Sequence, residues 1–138
     1  MDPIFLLTTL DQNYLSQLQV LLTSISVNNP KDTFVLILLH SGIPEEAMEG
    51  VRRQCGAYGY SFLPIRVDDA LFQGAPVTRQ YPREMYYRLL ASHFLPNQIK
   101  RVLYLDPDIL VINPLRPLWE TDLQGNLFAA AAHTGVTE

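Results

Sequence analysis

The sequence predicts an α/β fold: one domain over residues 1–138, built on a mainly parallel sheet with flanking helices. Short apolar runs alternate with amphipathic stretches along the chain, the order expected of strand-helix-strand units. The run at 33–40 is nearly continuous Val, Ile and Leu, which marks a strand covered on both faces as in a parallel sheet. With 138 residues of which 48% are apolar, the chain has enough material to close a core, and its ten prolines act as punctuation rather than gathering into a linker.

Each element has its own local reason. Residues 4–9 form a short apolar strand, after which Leu15, Leu18, Leu22 and Ile25 recur at helical spacing and predict a helix over 14–26, ended by Asn28-Asn29-Pro30. The strand at 33–40 runs into the Ser41-Gly42 turn. Pro44, Glu45 and Glu46 then open a second helix, because proline suits the first helical position and acids complement the N-terminal dipole. That helix is expected to reach Tyr58 and to break at Gly59. Residues 60–67 resume as a strand, and Pro64 within it points to a sheet edge or an irregularity. Residues 68–81 read as a long loop that could cover a site, and 83–94 as a third helix closed by Pro96-Asn97. An apolar strand at 101–105 stops at Asp106-Pro107-Asp108, and the β-branched run 109–112 predicts one more strand after it.

Ten Lys and Arg against fourteen Asp and Glu give a formal charge of -4, the wrong sign for a protein that tracks a nucleic-acid backbone. The lone Cys55 can make no internal disulfide and has no companion for a metal knuckle, in keeping with a reducing compartment. The apolar run at 34–39 is too short to span a bilayer, and Met1-Asp2-Pro3 lacks the basic start of a secretory leader, so a cytoplasmic location is expected.

In such a sheet, ligands bind beyond the carboxyl ends of the strands. Asp106 and Asp108 lie at one such end, and in an extended segment their side chains fall on the same side, able to converge on a hard divalent cation such as Mn²⁺ or Mg²⁺. The cation would relieve the repulsion between the carboxylates and offer its remaining positions to phosphate oxygens. A solvated turn would explain the pair equally well, were it not flanked by apolar strands. At the other strand end, Thr9, Asp11, Asn13 and Tyr14 lead into the first helix, where a nucleotide base could be read. Helix capping by Asp11 or Asn13 is the plainer explanation, and Tyr14 is expected as a core or staple residue. Arg88, after Tyr86-Tyr87, is either a surface arginine or a diphosphate or sugar contact. His40, His93 and His133 make no ligand spacing with the acids and read as structural, and Trp119 as a core plug under a short turn. No glycine-rich phosphate loop is present.

The stretch Arg101-Val102-Leu103-Tyr104-Leu105-Asp106-Pro107-Asp108-Ile109-Leu110-Val111, followed by Pro114-Leu115-Arg116-Pro117-Leu118-Trp119, resembles the signature of glycosyltransferase family 8, retaining enzymes of the Rossmann-like GT-A fold. Thr9-Leu10-Asp11-Gln12-Asn13-Tyr14 and Tyr86-Tyr87-Arg88-Leu89 match the same family in order and approximate spacing. The resemblance implies Asp106 and Asp108 as ligands of a Mn²⁺ that bridges the diphosphate of a UDP-sugar. It further implies Thr9, Asp11, Asn13 and Tyr14 as uridine contacts, Arg88 as reaching the diphosphate or sugar, and Asp106 as sharing in donor binding. The acceptor, a carbohydrate or lipid-linked saccharide, would receive a hexose with retention.

The family draws a further metal-binding histidine, the acceptor site and the polar residues around the reacting carbon from a later part of the chain. The sequence is therefore expected to be the N-terminal, nucleotide-binding part of a truncated enzyme, with its catalytic residues beyond Glu138. His133 stands where several relatives carry an acid, and it is not assigned to the missing histidine. A second reading is a non-catalytic module that binds nucleotide or self-associates through an open sheet edge. A third, a phosphatase of the haloacid dehalogenase type, also uses Asp-x-Asp after a strand. It fits less well because Ile109-Leu110-Val111 continues apolar where those enzymes place a small turn and a hydroxyl residue.

Overall fold

The computed structural model describes residues 2–67 and 96–131. They form a four-stranded, all-parallel sheet of β1 (Ile4–Thr9), β2 (Phe34–His40), β3 (Ser61–Arg66) and β4 (Leu103–Tyr104), in the spatial order β3-β2-β1-β4. A 3₁₀ turn, Gln12–Tyr14, leads into α1 (Leu15–Asn28); α2 (Glu45–Tyr58) joins β2 to β3, and a single-turn helix, α3 (Arg116–Trp119), follows β4. The predicted helix at 83–94 and loop at 68–81 fall outside the described residues.

The sheet interior accounts for the sequence pattern. In β1 and β2, Ile4, Leu6, Leu36 and Leu38 face α1 and α2, while Leu7, Ile37 and Leu39 enter a second cluster on the opposite side. Both faces are buried, so β2 has no need of the polar alternation of a one-sided strand. On α1, Leu15, Leu18, Leu22 and Ile25 form the buried stripe, and Met48, Val51 and Cys55 do the same on α2. Fully burying each such aliphatic side chain is worth about 1.5–3 kcal/mol before chain entropy is set against it.

The helix ends follow their local chemistry. Pro44 is the N-cap of α2, with Glu45 and Glu46 in the first turn. Gly59 closes that helix at φ +76, a left-handed conformation that a side chain would strain, and lets the Tyr60 N–H reach the Cys55 carbonyl at 2.8 Å. Pro64 sits on β3, which among the described residues is the edge strand beside β2, the position where a proline is tolerated in a sheet.

One expected strand is absent. Residues 109–112 join no ladder: Leu110 is 63% and Ile112 75% exposed, and only Val111 turns inward. The backbone groups of Val111 are taken by α1 instead, with its N–H donating to Ser24 Oγ at 2.9 Å and its carbonyl accepting from Asn28 Nδ2 at 2.8 Å. Asn29, buried at the end of α1, continues the clasp, its Oδ1 accepting from the Leu115 N–H at 2.6 Å. Arg116 then pins the segment to the sheet's start through a largely buried ion pair with Asp32 and a bond to the Asp2 carbonyl. The apolar run thus lies outside any ladder, with the backbone of its one buried residue, Val111, satisfied by polar side chains of α1. Trp119 is half-buried as a plug, its ring 6.3 Å from that of Phe5, and Arg101 Nη1 donates to the Trp119 carbonyl beneath it.

Candidate functional site

All strands run the same way, so the exits of β1 and β4 open at one end of the sheet, side by side. Leu7 pairs with Tyr104, and the last ladder bond runs from the Leu105 N–H to the Leu7 carbonyl at 3.1 Å. Two residues further on, Thr9 and Asp106 come level. Parallel pairing therefore juxtaposes two candidate motifs almost a hundred positions apart.

On the β1 side the chain leaves the sheet through Leu10 and turns at Asp11. The Asp11 carboxylate is the N-cap of the 3₁₀ turn, accepting from the Asn13 N–H at 2.7 Å, as the capping reading expects. Asn13 is exposed. Tyr14 corrects its expectation as a core or staple residue: it is 44% exposed, because the 3₁₀ turn carries it off the apolar stripe that begins at Leu15. An exposed aromatic ring next to an exposed amide suits a nucleobase, which needs a stacking face and edge hydrogen bonds.

On the β4 side Asp106 and Asp108 are both exposed, and the chain turns at Pro107-Asp108 instead of running on as a strand. A turn, and not strand alternation, therefore sets the direction of these two side chains. Two exposed carboxylates offer the hard oxygen donors that Mn²⁺ or Mg²⁺ prefers. Among the described residues no grouping of three or more His, Cys, Asp and Glu side chains is placed to hold a metal, so a cation at this turn would have this pair as its described protein donors. Arg88, His93 and His133 fall outside the described residues.

Between the exits lies a contact that sequence reasoning missed. Thr9, only 5% exposed, has its Oγ1 3.3 Å from the Tyr104 hydroxyl. The available signal was strand parity, since Tyr104 lies two residues before Asp106 and a tyrosine is long enough to reach a diagonal cross-strand neighbour. Thr8, on the other face, is buried with its hydroxyl unpartnered.

His40, at the β2 exit, has the structural role expected of it. Its Nδ1 accepts from the N–H groups of Gly42 at 3.2 Å and Ile43 at 3.0 Å, which requires a neutral ring. Burial lowers its pKa below the ordinary 6.5, the Arg66 guanidinium lowers it further, and Glu45 opposes both.

The chain resembles known proteins in sequence and in fold. The family model for glycosyl transferase family 8 matches residues 5–137. A putative glycosyltransferase of Haemophilus influenzae is 32% identical over 127 residues, covering 90% of this chain and 37% of its own length. The lipopolysaccharide 1,2-glucosyltransferase of Escherichia coli K12 is 26% identical over 119 residues, covering 86% and 35%. Among solved structures, the galactosyltransferase LgtC in complex with donor and acceptor sugar analogues superposes with a TM-score of 0.78 at 30% identity, over 87% of this chain and 43% of that one. The chain thus spans less than half the length of these relatives. The parallel sheet and its helices are those of a GT-A fold, which sets aside the dehalogenase-type phosphatase. Family model, relatives and fold agree, and the chain belongs to glycosyl transferase family 8.

Proposed function

We propose that residues 1–138 form the nucleotide-sugar-binding part of a retaining glycosyltransferase that moves a hexose from a UDP-sugar to the hydroxyl of a carbohydrate or lipid-linked saccharide. The observation that carries this reading is the juxtaposition at one sheet end of the Asp11–Tyr14 turn and the Asp106-Pro107-Asp108 turn, on neighbouring parallel strands. Tyr14 and Asn13 hold the uracil by its face and edge, with Thr9 and Asp11 shaping the floor. Asp106 and Asp108 would hold a divalent cation, Mn²⁺ or Mg²⁺, which when bound supplies positive charge to the diphosphate as negative charge grows on it. Asp106 also borders the donor, and Arg88 is assigned to the diphosphate or sugar. The acceptor hydroxyl attacks the anomeric carbon from the face that UDP leaves, the carbon–oxygen bond to the β-phosphate breaks, and the hydroxyl proton is released.

Both acids lie at the turn, where they can meet a diphosphate without breaking strand pairing. No described helix is long and apolar enough to cross a membrane. Calorimetric titration of UDP with and without Mn²⁺ tests the reading. UDP is expected to bind more tightly with the metal, and Asp106→Ala or Asp108→Ala to abolish the difference. Binding that ignores the metal, or that both variants leave unchanged, overturns it.

A further inference from the structure

We propose that the Tyr104 hydroxyl is a positioning group: by bridging to Thr9 it fixes the span between the two turns, so that cation and nucleotide bind cooperatively. The inference rests on the UDP-and-cation reading above and adds to it a residue that binds neither ligand. Only Leu6↔Leu103 and Leu7↔Tyr104 pair in the β1–β4 ladder, which ends at the bond from Leu105 N–H to Leu7 carbonyl. Beyond that point β1 continues through Thr8, Thr9 and Leu10 to Asp11, and β4 through Leu105 to Asp106. The contact of 3.3 Å between Tyr104 and Thr9 ties the two chains together beyond the ladder, at the level where both motifs begin.

The consequence follows from the length of the ligand. UDP would be held at the uracil by one turn and at the diphosphate, through the cation, by the other. With the span fixed beforehand, binding at one end places the other, and the ordering cost is met before the ligand arrives. Without the bridge each turn can still take its own end, but the second contact must first order the gap. The bridge therefore matters only when both ends are engaged. Deleting it should lower the metal-induced gain in UDP affinity and spare metal-free binding.

The test is a calorimetric titration of UDP into the 138-residue protein with and without Mn²⁺. Wild type is compared with Tyr104→Phe, Thr9→Val, the double variant and Thr9→Ser, each checked for folding by circular dichroism. In Tyr104→Phe the Mn²⁺-induced gain should fall about threefold to tenfold, the worth of one hydrogen bond, with metal-free UDP affinity kept within about twofold. Thr9→Val should lower the same gain, the double variant should lower it no further, and Thr9→Ser should restore it. Should Tyr104→Phe fail to fold, the Mn²⁺-induced gain in Thr9→Val decides, with Thr9→Ser as its control; because Thr9 also borders the uracil, its metal-free affinity is not a readout. A full gain in Tyr104→Phe, or equal losses with and without metal, would overturn the positioning role alone. A wild type indifferent to Mn²⁺ would overturn both this role and the reading beneath it.

Discussion

Replacing Asn29 with alanine should destabilise the protein far more than the same change one residue earlier. Asn29 is 3% exposed, and its amide serves two backbone groups: Oδ1 accepts from the Leu115 N–H at 2.6 Å and Nδ2 donates to the Ile25 carbonyl at 3.0 Å. Alanine would leave the Leu115 N–H buried without an acceptor, about 1–3 kcal/mol, and the lost bond to Ile25 adds about 1 kcal/mol or less because helix-end carbonyls are more readily served otherwise. The expected total is about 1–4 kcal/mol, centred on about 2. Asn28 is only partly buried, its Nδ2 donating to the Ser24 and Val111 carbonyls at 2.9 and 2.8 Å, and water can replace it there. Asn28→Ala should therefore cost about 0.5–1 kcal/mol. Urea unfolding followed by far-ultraviolet circular dichroism resolves the two. With a slope of about 2 kcal/mol per molar, the Asn29→Ala midpoint should fall by about 1 M. A loss below about 0.5 kcal/mol for Asn29→Ala, or a larger one for Asn28→Ala, would refute the idea that these side chains stand in for a strand partner along 109–115.

Further outcomes concern two buried titratable groups, His40 and Cys55. His40 has a folded pKa below its ordinary 6.5, so the unfolded chain binds the proton first. Its contribution to stability is complete above 6.5 and is lost as the pH falls through that value toward the folded pKa. Denaturant titrations from pH 8 to about 5 should show this loss in wild type and not in His40→Gln; parallel curves would contradict the neutral-ring assignment. The Cys55 thiol, pushed up to about 11 by burial and only partly relieved by Arg52, should resist alkylation at pH 8 while the protein is folded and react once urea unfolds it. Rapid labelling of the native protein would mean that α2 opens locally.

Much of the fold was legible because burial and chain stereochemistry act locally. The unbroken apolar run of β2 could satisfy its side chains only between two covered faces, and the stripe on α1 only against a sheet. Pro44 and Gly59 set the ends of α2 by what proline lacks and glycine permits. The boundaries moved where local signals compete: α1 runs on to Asn28, since Asn28 and Asn29 bond back to carbonyls a turn earlier and extend the helix they were expected to stop. The apolar signal at 109–112 was real but not specific, because it reports burial or extension and not the partner that supplies hydrogen bonds.

The amino-acid order by itself determined β1, β2, β3, α1 and α2, their apolar faces, and the two short motifs with their family. Those depend on interactions within a few residues or on patterns repeated along one element. Only the tertiary structure decided that the motifs meet. Parallel pairing of β4 beside β1 brings Thr9 level with Asp106 and the Tyr104 hydroxyl to Thr9. Contacts of that kind join positions about ninety residues apart, and the free energy that selects them comes from closing the whole core, which no local window of sequence contains.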